Sequence, residues 1–369
     1  MLWITLIIVV SLCLIALFIF SGPNMSRYDS PIGEHFPDHP EDDAATARFL
    51  KITSALRAEV IANKSPKKGL VAVRKFADEL SDDLETETQF VQTTANGVEI
   101  EWAIAPNTNP RRRVLFMHGG AFIFGSPKGH RKFSDRLAKM LGAAVASVDY
   151  RMLPENRRMK SVIDSQLAYQ WILEHGPDGK TDLDYLLVSG DSAGGNLALM
   201  LSSWSKSMNL TKPNAVVAFS PSSDMTLSSP TIKSNRQSDK MLGEGLGLLA
   251  GLPKVIALWV GAIGMRVNPA NPLVSPLFGD LSDLPPTLIH ASSNEMLLGE
   301  SVRYTNKARE SGSMVSLQIW QNQVHDWHLF NMGWGSAENA WAEVEKYLNN
   351  IEGIEGLPQA SSSSDSQAA

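Results

Sequence analysis

One cysteine, Cys13, stands in 369 residues, so no intramolecular disulfide can staple the fold. Basic charge is also scarce. The 33 Lys and Arg are outnumbered by 39 Asp and Glu, for a net charge of −6. No stripe of Lys and Arg interleaves with aromatics, which argues against nucleic acid as a partner. The eight histidines show no His-Glu-x-x-His or comparable spacing. A Walker-A loop and a dinucleotide Gly-x-Gly-x-x-Gly fingerprint are absent too, so no metal and no cofactor are expected. No internal repeat is found.

At the N-terminus charge itself is missing. Residues 1–20 hold no charged side chain, and the first one met is Arg27. A helix of that length spans about 30 Å, the thickness of a bilayer's hydrocarbon core. A cleaved signal peptide should carry a basic start and a small-x-small site. Met1-Leu2-Trp3 and Phe20-Ser21-Gly22 supply neither, and Leu12 before Cys13 argues against a lipoprotein. Residues 1–22 are therefore read as a single-pass membrane anchor, on a side of the membrane left open. A signal sequence, leaving the chain secreted or periplasmic after cleavage, is the alternative, and a buried soluble helix is a third.

What is present is ordinary for a globular protein: 43% apolar and 20% charged residues. Residues 23–40, rich in Pro, Gly, Asp and Ser, read as a linker. Residues 41–85 read as N-terminal cap helices, with Phe49, Ile52, Leu56, Val60 and Ile61 at helical spacing. From there strands (90–93, 98–104, 113–117, 144–148, 186–189, 215–219, 287–290, 315–320) alternate with helices (131–141, 161–175, 194–205, 301–311, 338–347). The first two strands turn at Ala95-Asn96-Gly97. Such alternation implies an α/β fold with a mostly parallel central sheet flanked by helices. The catalytic domain is placed at 86–221 and 270–352, interrupted at 222–269. The interruption contains the apolar run 246–264 with Pro253 and Lys254 inside it. It is read as a helical cap, with a second membrane span and an ordinary buried helix pair as alternatives. Residues 353–369 read as a disordered tail.

Gly190-Asp191-Ser192-Ala193-Gly194 fits the Gly-x-Ser-x-Gly nucleophile elbow. It follows an apolar strand and precedes an apolar helix, the order that exposes a serine hydroxyl on a sharp turn. Upstream, Met117-His118-Gly119-Gly120-Ala121-Phe122 follows another strand. Adjacent glycines there let backbone N–H groups point at a developing oxyanion.

These segments resemble the hormone-sensitive-lipase-like family of α/β-hydrolases: His-Gly-Gly-Ala-Phe, then Gly-Asp-Ser-Ala-Gly-Gly. Val148-Asp149-Tyr150-Arg151-Met152-Leu153-Pro154-Glu155 resembles the family's Asp-Tyr-Arg-Leu-Ala-Pro-Glu. Ser275-Pro276-Leu277, Leu284-Pro285-Pro286 and Ser293-Asn294-Glu295-Met296 resemble the run with its catalytic acid, and His325-Asp326-Trp327-His328 the segment with its catalytic histidine. The resemblance runs from about 114 to 330. It implies an α/β-hydrolase fold with a helical cap and a triad of Ser192, Glu295 and His325. It also implies an oxyanion hole from the amides of Gly119, Gly120 and Ala193. Relatives often carry Asp where Glu295 stands, and Asp326 and Asp283 are fallback acids. Phe122, Asp191 and His328 are candidate pocket residues, His328 as a wall or a hydrogen-bonding residue. Asp149 and Asp191 read as buried structural carboxylates, and His290 as a satisfied core histidine. Gln323 departs from the family pattern.

The expected activity is carboxylic-ester hydrolysis on small lipophilic esters, with short to medium acyl groups favoured by the resemblance. An amidase or arylacetamide-type deacetylase would use the same triad. A non-catalytic small-molecule receptor on the same fold is the rival from another class, although such receptors lack the histidine that His325 supplies.

Overall fold

The computed structural model describes residues 2–62 and 65–352; the expected tail, 353–369, lies outside the described residues. Its centre is a nine-stranded sheet. The strands are β1 (Glu34–Phe36), β2 (Gln89–Ala95), β3 (Val98–Ile104), β4 (Asn109–Met117), β5 (Ala143–Val148), β8 (Tyr185–Asp191), β9 (Ala215–Phe219), β10 (Thr287–Ser292) and β11 (Val315–Trp320), and a two-residue hairpin, β6 (His175–Gly176) and β7 (Gly179–Lys180), stands apart. The order is β1-β11-β10-β9-β8-β4-β5-β3-β2. Within this sheet, among the described residues, only β2/β3 and β3/β5 pair antiparallel.

Each feature has a local cause. In β5, β8, β9 and β10 every residue is buried. Parallel strands covered on both faces must be apolar throughout, which is why these segments do not alternate. Along β4 the pleat sends Leu115 and Met117 to one side and Val114 and Phe116 to the other, into two separate cores. Between β2 and β3, Asn96 and Gly97 have φ of 52° and 82°, the pair of left-handed residues a tight hairpin needs. Helix Arg131–Leu141 ends at Gly142 in the left-handed conformation.

The segment expected to be a linker is built into the domain. Residues Glu34, His35 and Phe36 add a parallel edge strand beside β11, in register with Gln318, Ile319 and Trp320. Met25 and Tyr28 are buried, and Asp29 pairs with Arg303 at 2.6 Å. Three residues among Pro, Gly and Asp are too few to show a strand's alternation. The helical periodicity of 42–75 resolves into two helices, Asp42–Ala62 and Pro66–Asp78, the second opening on proline.

The N-terminal stretch is helical, Leu2–Ile15 and then Ala16–Phe20, and the 18 residues Trp3–Phe20 are apolar enough to cross a membrane. Within 222–269 lie helices Thr231–Ser234, Leu242–Ala250 and Lys254–Met265; the last two are bent by 115° where they meet.

Candidate active site

Ser192 occupies the turn between β8 and helix Ala193–Ser207, with φ 50° and ψ −110°. A non-glycine residue in this region is strained and needs fixing from outside. Its N–H donates to Phe219 O at 2.7 Å, and its carbonyl accepts from Asn196 N at 3.0 Å. Space explains the flanking glycines. A Cβ on Gly190 would lie 2.5 Å from the Gly194 carbonyl, and one on Gly194 would overlap the Met117 carbonyl oxygen.

His325 lies beyond the end of β11. Its Nε2 is 2.8 Å from Ser192 Oγ. With that nitrogen accepting the serine proton, the imidazole proton sits on Nδ1, which is 3.4 Å from Glu295 Oε1. That Nδ1–Oε1 distance is longer than a normal hydrogen bond, and it becomes an ion-pair contact once the ring takes the serine proton. Glu295 Oε1 also accepts the Ser220 hydroxyl. The three residues named from sequence thus meet in the order nucleophile, base, acid. All are nearly closed off, with Ser192 at 9% exposure and the other two at 1%.

The fallback acids separate on geometry. Asp283 is a surface residue paired with Lys212. Asp326 is buried, but its Oδ2 lies 3.2 Å from His325 Nε2, the nitrogen facing the serine. An acid that orients the base must hold the other nitrogen, as Glu295 does.

The oxyanion loop requires a correction. Gly119 N–H is already used, donating to Asp191 Oδ1 at 2.9 Å. The other Asp191 oxygen is 3.3 Å from His130 Nε2. Asp191 therefore braces the loop from behind. Gly120, Ala121 and Phe122 follow with φ of 108°, 54° and 61°, so the chain coils tightly just after the braced residue. Ala193 is the first residue of its helix, where an amide has no intrahelical acceptor.

The candidate pocket residues are likewise supports. Phe122 is buried beneath Arg158, whose guanidinium carbon is 3.5 Å from the ring centroid. His328 is fully buried, 2.9 Å from His290 Nδ1 and edge-on to Phe219. Burial drives the His290 imidazole down to about 3, so it is neutral in the core. Asp149, expected to be buried, is exposed.

Four contributors were invisible in the sequence. Asn235 Nδ2 donates to the carbonyls of Ser293 and Glu295, both at 2.9 Å, and Asp239 accepts from Met296 N at 2.9 Å. Ser220 touches the acid directly. Arg74, on helix Pro66–Asp78, donates to Ile123 O and Leu153 O at 2.9 Å each, which ties that helix to the oxyanion loop. Among the described residues no group of three or more His, Cys, Asp or Glu is arranged to hold a metal ion.

Residues 114–329 match the model of a family described as having the alpha/beta hydrolase fold. The chain belongs to the hormone-sensitive-lipase-like α/β-hydrolases. It is 31% identical over 239 residues to an esterase of Acinetobacter venetianus, covering 65% of this chain and 75% of that one. It is 31% identical over 232 residues to an acetyl-hydrolase of Streptomyces hygroscopicus, covering 63% and 73%. The crystal structure of an esterase from the bacterial hormone-sensitive lipase family superposes with a TM-score of 0.69 at 26% identity, covering 85% of this chain and 98% of that one. The crystal structure of EstE5, soaked with p-nitrophenyl butyrate, superposes with a TM-score of 0.66 at 28% identity, covering 81% and 98%. The chain is a carboxylic ester hydrolase of the esterase/lipase type.

Proposed function

We propose that this hydrolase works through an acyl-enzyme on Ser192 and acts on lipophilic esters with short to medium acyl groups. The observation that carries the reading is the 2.8 Å contact of His325 Nε2 with Ser192 Oγ, with Glu295 on the opposite nitrogen. Ser192 Oγ attacks the ester carbonyl as its proton passes to His325 Nε2. The carbonyl oxygen becomes an oxyanion held by backbone amides. Gly119 is committed to Asp191, so the donors are Gly120, its neighbour Ala121, and Ala193. His325 then protonates the departing alkoxide, leaving an acyl-enzyme and an alcohol. Water, deprotonated by the same nitrogen, attacks the acyl carbon, and Nε2 returns that proton to Ser192 Oγ as the acid leaves. Glu295 stabilises the imidazolium in both halves.

The acyl preference draws on the relatives: one is named an acetyl-hydrolase, and EstE5 was soaked with a butyrate ester. The almost closed serine fits small acyl groups as well. A series of p-nitrophenyl esters tests it, with kcat/KM expected to peak at or below about eight carbons; a maximum at palmitate would sink it. Matched ester and anilide substrates separate esterase from amidase. Labelling of Ser192 by a fluorophosphonate, expected here, would be absent from a non-catalytic receptor.

We also read Trp3–Phe20 as a membrane anchor. In this 18-residue window only 7% is buried. Trp3, Ile7 and Phe18 are 75%, 63% and 81% exposed, which water penalises at roughly 25 cal/mol per Å² of apolar surface. Carbonate extraction checks it: the chain should stay with the membrane pellet, and release into the supernatant would overturn the reading.

A further inference from the structure

The hairpin at residues 242–265 is turned inside out for a cap bathed in water. It carries two charged side chains, Glu244 and Lys254. On helix Lys254–Met265, Ile256, Val260 and Ile263 are 48%, 42% and 68% exposed. Their spacing of four and three residues puts them on one outward face. Leu248, on the preceding helix, is 68% exposed as well. A surface helix in water shows the opposite pattern, and a contiguous apolar face of this kind marks a contact surface.

What covers it follows from its neighbour. Trp259, on the same helix, donates from Nε1 to Leu12 O at 3.1 Å and stacks edge-on against Phe20, with centroids 4.9 Å apart. Asn268 Nδ2 donates to Ile19 O at 3.0 Å. The hairpin therefore lies along the apolar N-terminal helix from its end at Phe20 back to Leu12. Eight residues of helix rise about 12 Å, which is most of one leaflet's hydrocarbon depth. If residues 3–20 span a bilayer, these contacts carry the Trp259 helix below the headgroups beside them.

We propose that the outward face of residues 242–265 is a lipid-docking surface, seated in the acyl region of the leaflet that the enzyme body faces. The inference rests on the anchor reading above and adds a second, non-spanning contact to it. Apolar helices lie 5–10 Å into a leaflet in this way, with aromatic residues near the boundary. The docked element also connects to the chemistry. Leu242 N donates to Asp239 Oδ1 at 2.8 Å, and the other Asp239 oxygen holds Met296, next to Glu295. An ester dissolved in the bilayer thus meets the enzyme at the element that supports the catalytic acid, without crossing bulk water.

The test uses the full chain in phosphatidylcholine vesicles, with Cys13→Ser so that a single new cysteine can carry an environment-sensitive fluorophore. Ile7→Cys reports on the span, Ile263→Cys on the hairpin, and Met314→Cys on an exposed site at the opposite, amino-terminal end of β11. With brominated acyl chains, quenching is expected at Ile7 and Ile263 but not at Met314. Quenching at Ile7 with Ile263 behaving like Met314 would overturn the docking surface and leave the anchor standing. No quenching at either would overturn both. A signal at Ile263 that rises with protein concentration and ignores brominated lipid would overturn the proposal in favour of a second copy of the chain. Ile256→Asp with Ile263→Asp should lower activity on a vesicle-dissolved ester at least about threefold while leaving p-nitrophenyl acetate hydrolysis unchanged. Equal rates on both substrates, relative to the unsubstituted chain, would count against docking.

Discussion

Asp326 Oδ2 lies 3.2 Å from His325 Nε2, on the nitrogen that must collect the proton of Ser192. Asp326 has φ 55°, and this left-handed backbone turns its carboxylate into the site. Burial alone pushes the His325 imidazole down, but the charge of Asp326, and then that of Glu295, outweighs it and holds the group well above its ordinary value. Below its own pKa His325 is protonated and cannot act as base. The acid limb of kcat/KM should therefore lie above the ordinary imidazole range. Asp326→Asn keeps the size and tolerates positive φ. With the raising charge gone and the burial retained, the limb should move to lower pH. A pH profile on a p-nitrophenyl ester from 5 to 9 decides it. An unmoved limb would mean that Asp326 does not act on the base.

The roles of the two acids differ in magnitude as well as place. Glu295→Gln removes the charge that orients and stabilises the imidazolium, and the cost should be on the order of 10⁴-fold in kcat. Asp326→Asn should cost far less at its own optimum pH. Ser192→Ala should remove essentially all turnover, on the order of 10⁶-fold, while thermal unfolding stays within a few degrees. If Asp326→Asn proved the more damaging of the two acid variants, Asp326 would be the triad acid.

The elbow makes a structural prediction. Gly194→Ala places a Cβ against the Met117 and His118 carbonyls, and backbone at the centre of a sheet cannot give way. Destabilisation of at least about 3 kcal/mol is expected, at the upper end of overpacking. Gly264→Ala, with open space where its Cβ would go, should be neutral or slightly stabilising. Denaturant titration of both variants gives the comparison; equal stability would contradict the crowding of the elbow.

The elbow and the sheet were legible because their signals are local. Apolar runs, a two-residue turn and two glycines around Ser192 each act within a few residues. Glu295 and His325 were legible only through the resemblance. The errors lie where a distant residue decides. Gly119 looked like an oxyanion donor, but Asp191, 72 residues away, takes its N–H. His328 was open between a pocket wall and a hydrogen-bonding residue, and its contact with His290, 38 residues away, decides for the second. The edge strand at Glu34–Phe36 exists because β11 offers a partner, and nothing within its own three residues announces it.

Gln323 shows the same principle and yields the last prediction. Its Nε2 donates to Asp42 Oδ2 at 2.7 Å, across 281 residues, and its backbone carbonyl accepts the Ser292 hydroxyl at 2.7 Å. Asp42 also accepts from His39 N at 2.7 Å, Ser336 N at 3.0 Å and Ser336 Oγ at 2.6 Å. Burial works to raise the Asp42 carboxyl, but donors from Ser336, His39 and Gln323 prevail and hold it below its ordinary value. Asp42 is therefore a buried carboxylate joining helix Asp42–Ala62, helix Gly335–Glu352 and the loop of the catalytic histidine. Gln323→Leu keeps the volume and removes one donor, which should cost about 1–3 kcal/mol. Because His325 is two residues on, kcat should fall several-fold with KM little changed, as expected when a base is misplaced and binding is not. Because a depressed carboxyl stabilises the fold above its unfolded pKa and loses that contribution as pH falls, the stability gap between Gln323→Leu and the unsubstituted chain should narrow toward pH 3. Thermal unfolding at pH 7 and pH 3, with steady-state kinetics at pH 8, measures both effects. A lower melting temperature with unchanged kcat would leave Gln323 a purely structural tie.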